Sequence, residues 1–215
     1  MRLGLGGPGA PLSLLCLGAH CDDIEIGCGG AILRLTEGRR DVAVTWVVWS
    51  GDDAREREAR ASAGLFLTAA RASRVTVHRF RDGFFPYEGG RIKERFEALK
   101  DEVAPDLIFT HHGGDRHQDH RLISELTWNT FRDHTILEYE IPKYDGDFGS
   151  PAVLVELDET VAERKIRYIV ESFKTQHAKA WFTEDTFRAV LRLRGMEANA
   201  PGRYAEGFYA RKLVV

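Results

Sequence analysis

The sequence predicts an α/β fold: a Rossmann-like, doubly wound and mostly parallel sheet with helices on both faces, in a single domain over residues 1–215. Three observations predict it. Short runs rich in Val, Ile, Leu and Trp alternate with longer segments of helical periodicity through the first two-thirds of the chain. Several of those runs are apolar throughout, the pattern of strands covered on both faces. The two densest polar clusters each follow directly on such a run, where ligands collect beyond the carboxyl ends of parallel strands.

Leu12–Gly18 is the first predicted strand. It reads as a buried strand and not as a signal peptide, because only Arg2 precedes it and it runs straight into His20, Asp22 and Asp23. A helix is expected over 27–35, a β-branched and aromatic strand over 42–49, and a helix over 54–70. A strand over 75–80, a helix over 92–103, a strand over 106–110, a helix over 118–131 and an extended run at Thr135–Tyr139 continue the alternation. Glycine and proline breaks make 142–151 a loop. An amphipathic helix at 159–176, another at 184–194, a loop at 202–207 and a terminal strand at 208–215 complete the chain. The glycine-rich run at 4–9 precedes the first strand, so it fails as a dinucleotide-binding loop.

With 30 basic and 33 acidic residues the net charge is −3, which leaves no electrostatic footprint for nucleic acid. Arg55, Arg57 and Arg60 alternate with Glu56 and Glu58, as on a solvated helix face. No apolar stretch is long enough to span a bilayer. Cys16, Cys21 and Cys28 are odd in number and form no Cys-x-x-Cys pair, which predicts reduced thiols in a cytoplasmic protein. Their spacings match no usual thiolate zinc site, so Cys16 and Cys28 are expected to be buried and Cys21 to line a turn. Trp46 and Trp49 are expected to pack within their strand, and His78, His134 and His177 have no chemical partners nearby in sequence.

The chemistry is expected in two clusters. The first is Ala19-His20-Cys21-Asp22-Asp23, followed by Gly27, Gly29 and Gly30. Adjacent carboxylates repel, so a pair in a partly buried turn calls for a cation or a proton, and His with Asp suits Zn²⁺. Helix capping accounts for one aspartate but not for the second acid and the histidine. The second cluster, His111 to His120, places four of the eight histidines within ten residues, with Asp115 and Asp119 among them. In a doubly wound sheet the first and fourth strands are neighbours at the point where strand order reverses, which brings both clusters to one crevice.

These motifs resemble the PIG-L/LmbE-like family of zinc-dependent N-deacetylases, whose pattern is Ala-His-Pro-Asp-Asp with a later His-x-Asp-His. Here they stand as Ala19-His20-Cys21-Asp22-Asp23 and His117-Gln118-Asp119-His120, with Cys21 in the usual proline position. Arg55 with Glu58, the segment 172–176 and Tyr204-Ala205-Glu206-Gly207-Phe208 are further echoes. The resemblance implies one Zn²⁺ per chain, or another divalent metal, held by His20, Asp23 and His120. It implies Asp22 as general base, His117 acting on the reacting carbonyl with Asp119 orienting it, and Arg55 among the groups that hold substrate. The implied activity is hydrolysis of an N-acetyl group from an amino sugar, a sugar conjugate or a natural-product intermediate. The partner so implied is a small N-acetylated molecule and not a nucleic acid. A deacylase of a non-sugar amine and a non-catalytic sugar- or nucleotide-binding module are the alternatives, the last having no need of Asp22. Substrate choice is expected to lie in loops 84–90, 142–151 and 201–207, with Glu206 either near the site or in a surface ion pair.

Overall fold

The computed structural model describes residues 10–213, so the glycine-rich run at 4–9 and the last two residues lie outside the described residues. Seven strands form one sheet: β1 (Leu12–Gly18), β2 (Val42–Val48), β3 (Ala72–Val77), β4 (Leu107–His111), β5 (Thr135–Tyr139), β6 (Val153–Leu157) and β7 (Tyr204–Tyr209), in spatial order β3-β2-β1-β4-β5-β7-β6. The first five are parallel; β7 runs antiparallel between β5 and β6. β1 and β4 are neighbours, so strand order reverses between them as expected.

Successive side chains of a strand face opposite ways, and β1 divides its residues accordingly. Leu14 and Cys16 enter one core, with α1 (Asp23–Gly38), α2 (Asp53–Phe66), α5 (Glu159–Ser172) and α6 (Glu184–Glu197) over it. Leu15 and Leu17 enter the other, under α3 (Gly89–Glu102) and α4 (Gln118–Thr130). Trp46 belongs to the first core and Trp49 to the second, where its ring stacks 4.4 Å from Phe96. Both tryptophans pack as the strand reading expects.

Several boundaries move. α1 begins at Asp23, four residues before the expected start, because the carbonyls of His20 and Asp22 already accept N–H bonds from Asp23 and Ile26. β3 lies at Ala72–Val77 rather than 75–80. The expected helix over 159–176 ends at Ser172 and passes into a single 3-10 turn at Lys174–Gln176. β6 was not anticipated, and β7 replaces the end of an expected loop and the start of an expected terminal strand. Ala205, Glu206 and Gly207 have poor strand propensity, but pairing to β6, continued by Phe208 and Tyr209 against β5, overrides it. Gly207 also lies so close to Pro151 that a Cβ would sit 2.6 Å from its ring. Among the described residues no helix is long and apolar enough to cross a membrane.

Candidate active site

The carboxyl ends of β1 and β4 deliver both clusters to one cleft of about 320 Å³. His20, Asp22, Asp23, Arg55, His117 and His120 all line it, and Asp119 lies directly beneath. His20 to Asp23 turn from β1 into α1, His117 caps α4, and Asp119 and His120 occupy its first turn. Asp22 takes the N-cap position of α1 but makes no side-chain capping bond, so its carboxylate stays available to the cleft.

At the floor, three ligand-type atoms converge. His20 Nδ1 is 3.2 Å from His120 Nε2 and 3.4 Å from Asp23 Oδ2, and the last two are 3.6 Å apart. Tetrahedral donors around zinc at bond lengths of ~2.0–2.2 Å stand ~3.3–3.6 Å from one another, so the triangle has the dimensions of three zinc ligands. The far nitrogen of each imidazole is on a carboxylate. His120 Nδ1 meets Asp115 Oδ2 at 2.9 Å, and His20 Nε2 meets Asp82 Oδ1 at 3.1 Å and Asp119 Oδ2 at 3.3 Å. Those carboxylates draw the ring protons outward and leave two imidazole lone pairs facing each other beside a carboxylate, an arrangement that a cation stabilises.

Three other triads also converge nearby: Asp23 with His111 and His120, His20 with His117 and His120, and His20 with Asp82 and Asp119. In the last the two carboxylates take the ring proton on His20 Nε2, and lone-pair accounting separates the other two from the first. His111 Nε2 is 2.9 Å from the Ala19 N–H and 3.1 Å from Asp23 Oδ2, so in either tautomer that nitrogen is engaged. His117 Nδ1 accepts the backbone N–H of Asp119 at 3.3 Å, which leaves Nε2 as an N–H donor in the neutral ring. His20 Nδ1 and His120 Nε2 have no such donor.

The electrostatics follow from burial and neighbours. Burial opposes ionisation of Asp23, but His120, His111 and His20 outweigh it and hold the carboxyl well below the usual range. At Asp22 burial prevails over Arg55 and raises the pKa. Burial lowers His117, with His20 adding to the effect, and lowers His120 to about 3. Burial would also lower His20, but Asp23, Asp119 and Asp82 reverse the direction and raise it. Glu25, wholly buried in the first turn of α1, is pushed well up by burial.

Two expectations are corrected here. The carboxylate of Asp119 does not hold His117. Its oxygens accept the N–H groups of Gly83 at 2.7 Å and Phe85 at 3.1 Å and approach His20, because its position in the first turn of α4 faces the loop after β3. Glu206 neither reaches the cleft nor lies at the surface: it is buried, accepting the N–H groups of Gly30 and Ala31 and an ion pair from Lys165 at 2.6 Å. Arg55 lines the cleft as expected, but its guanidinium is tied to Asp22 at 2.8 Å, with Asp82 at 3.6 Å. Cys21 is buried with Sγ 3.3 Å from the Ser50 carbonyl, and burial pushes its thiol up to about 12. Cys16 and Cys28 are buried and free. Of the three isolated histidines, His78 stacks on Trp49 at 5.0 Å and His177 bonds the Val170 carbonyl, and none lines the cleft.

Sequence reasoning missed several contributors. Asp115 stood inside the second cluster and was legible there as another acid beside His120. Asp82 and Lys143 carried no local signal; they come from loops brought in by the fold, Lys143 bridging Asp115 at 3.0 Å and Asp147 at 2.6 Å. Tyr139 reaches Leu17 O at 2.6 Å and lies 3.3 Å from His111 Nε2. Its ring rests on Gly27, where a Cβ would stand 2.1 Å away, so that glycine permits the approach. Of the expected substrate loops, 142–151 does line the cleft through Lys143, Tyr144 and Asp145; 84–90 and 201–207 do not, and the segment carrying Lys179 and Trp181 takes their place.

Comparison with known proteins bears on this geometry. N,N′-diacetylchitobiose deacetylase from Pyrococcus horikoshii has a similar structure, with a TM-score of 0.71 at 22% identity over 92% of this chain and 83% of that one. The 4-carboxy-2-hydroxymuconate hydratase GalB from Pseudomonas putida KT2440 is also similar, with a TM-score of 0.75 at 19% identity over 95% and 98%. At such identities the likeness shows the fold alone, and a deacetylase and a hydratase share it. In sequence, the uncharacterised deacetylase YaiS of Escherichia coli K12 is 29% identical over 143 residues, 60% of this chain and 74% of its own. The sequence profile of PIG-L, GlcNAc-PI de-N-acetylase, matches residues 15–131, more than half of the chain and both clusters of the cleft, and the chain belongs to that family.

Proposed function

We propose that the cleft is a metal-dependent N-deacetylase site in which His20, Asp23 and His120 hold one divalent cation, Zn²⁺ foremost, and that the substrate is an N-acetylated amino sugar or its conjugate. The observation that carries this reading is the triangle of 3.2, 3.4 and 3.6 Å, with the far nitrogen of both imidazoles on carboxylates. The family's de-N-acetylase description supports the reaction class. When bound, the cation supplies Lewis acidity, polarising a carbonyl and lowering the pKa of water toward ~7.

The remaining work falls to side chains. Asp22, a buried carboxyl whose pKa burial raises and which Arg55 holds at 2.8 Å, takes the proton of the water that attacks the amide carbon. As the C–N bond breaks, the same carboxyl returns that proton to nitrogen, giving acetate and a free amine. His117 donates Nε2–H to the carbonyl oxygen as negative charge develops there. Its lowered pKa and its acceptor role at Nδ1 favour a neutral donor. Arg55 fixes Asp22 and faces the cleft, where its edge meets polar groups of the substrate. Asp119 and Asp115 position His20 and His120 respectively.

The test is primary-amine release from a panel of N-acetylated sugars by zinc-loaded, chelator-treated and zinc-restored protein. The reading requires release that chelation abolishes and zinc restores. Turnover of acetylated polyamines or amino acids alone would transfer the activity to a non-sugar substrate, and full activity in demonstrably metal-free protein would overturn the metal assignment.

A further inference from the structure

One carboxylate behind the cleft holds three groups at once. Asp115 Oδ1 accepts the backbone N–H of His117 at 2.7 Å, while Oδ2 meets His120 Nδ1 at 2.9 Å and Lys143 Nζ at 3.0 Å. Lys143 comes from the loop after β5, and its ammonium also meets Asp147 Oδ2 at 2.6 Å. That oxygen in turn accepts the N–H of Arg116 at 2.7 Å. The loop is thus fastened at two points to the segment between β4 and α4, beside His117 and His120.

The fastening is buried: the side chains of Asp115, Asp147 and Lys143 are 3%, 8% and 9% exposed. Shielded from water, the ammonium holds together two carboxylates that repel each other without it. The chain reverses at Gly146, with φ +60°, which returns Asp147 to Lys143. At its far end the loop is held by Gly149, whose N–H bonds Tyr209 Oη at 3.0 Å and whose carbonyl accepts Arg194 Nη2 at 3.0 Å. Between these anchors Tyr144 and Asp145 line the cleft.

We infer that Lys143 is a positioning residue: through Asp115 it holds the ring of His120 and the backbone of His117 where the cation and the carbonyl require them. This rests on the metal-dependent reading of the cleft and adds to it a residue that touches neither the cation nor the reacting atoms. Coupling is reciprocal, so whatever the Lys143 bridge contributes to zinc binding, zinc contributes to the bridge. The loop that carries Tyr144 and Asp145 is therefore held more firmly in the zinc-loaded protein than in the metal-free protein.

The test is a double-mutant cycle read by zinc affinity, measured by chelator competition on the folded full chain. Lys143→Met alone leaves Asp115 and Asp147 facing each other. The working variant is therefore Lys143→Met with Asp147→Asn, which removes one charge of each sign and keeps an acceptor for the Arg116 N–H. It is expected to bind zinc ~10-fold more weakly than wild type, at the lower end of what groups behind a ligand contribute. In an Asp115→Asn background the same pair of changes is expected to cost less than about twofold, because the carboxylate it acts through is gone. Hydrogen exchange supplies a second readout. Zinc should slow exchange at the amides of Arg116, His117 and residues 143–147 in wild type, and not in the Lys143 variant. Wild-type affinity in that variant, or an equal loss with and without Asp115, overturns the inference, as does exchange that zinc slows equally in both proteins. Amine release tests the underlying reading separately: one zinc with the expected cycle but no turnover of any acetylated sugar overturns the deacetylase reading and supports the bridge. Wild type that takes up no zinc overturns both.

Discussion

Two regions of the molecule bury charge, and they do so differently. In the antiparallel extension, every buried charge is answered. Arg194 meets both oxygens of Glu140, at 2.7 and 2.8 Å, and also Glu197 and the Gly149 carbonyl. Glu206 accepts two backbone N–H groups and Lys165, whose ammonium also donates to the Ile26 carbonyl. At the ends of β1 and β4 the far nitrogens of His20 and His120 sit on carboxylates, while His20 Nδ1, His120 Nε2 and Asp23 Oδ2 converge on one point, Asp23 Oδ2 also accepting the His20 N–H at 2.6 Å. Complete pairing marks a structural site, whereas a convergence of acceptors marks a place kept for a cation.

The largest expected effects break the cleft. His20→Ala and His120→Ala should lose stoichiometric zinc, read by metal analysis of the folded protein, and with it all measurable amine release. Asp22→Asn should keep zinc and lose ~10²–10⁴-fold in kcat, because an amide cannot take a proton from water. If Asp22→Asn loses its metal as His120→Ala does, Asp22 is a ligand and the division of labour is wrong.

The paired region should fail in stability. Arg194→Met leaves Glu140 buried without its partner, and truncating one member of such a pair costs about 3–5 kcal/mol, measured by denaturant unfolding. The folded fraction should still bind one zinc. Zinc loss in proportion to His120→Ala would show that the two regions are not independent.

A smaller effect separates holding a metal from holding a ligand. Asp115→Asn should weaken zinc affinity by ~10–100-fold while leaving one site per chain, because it slackens His120 without removing a donor. An affinity equal to wild type would remove Asp115 from the account.

The smallest concerns Glu138, which supports the loop behind the cleft. Burial opposes its ionisation, but His112, the Gly113 N–H, Trp128 and Arg211 outweigh it and depress the pKa. A depressed carboxyl stabilises the fold above its unfolded value of ~4.3, and that stabilisation is lost as pH falls through the folded value. The stability gap between wild type and Glu138→Gln should therefore be full near neutral pH and close below about pH 4. A gap independent of pH would mean that the charge at Glu138 contributes nothing.

The same comparison explains what was legible in sequence. The parallel half was readable because its strands are apolar runs and its polar clusters interrupt them abruptly, so His20, Asp22, Asp23, His117, Asp119 and His120 stood out; all but Asp119, which sits on His20, line one cleft. The extension was not, because Tyr204–Tyr209 contains Ala, Glu and Gly and becomes a strand only through its neighbours. Asp119 was misassigned for a related reason: adjacency in a His-x-Asp-His pattern does not say which ring a carboxylate in the first turn of a helix will face. Asp82, Lys143, Lys179 and Trp181 are single residues in loops, and their place at the cleft is set by tertiary structure alone.

The most direct measurement is anomalous difference density at the zinc edge in a crystal of the zinc-loaded protein. One peak is predicted, between His20 Nδ1, Asp23 Oδ2 and His120 Nε2, at ~2.0–2.2 Å from each. A peak ligated instead by His111 or His117, or by the thiolate of Cys21, or no peak at saturating zinc, would contradict the account.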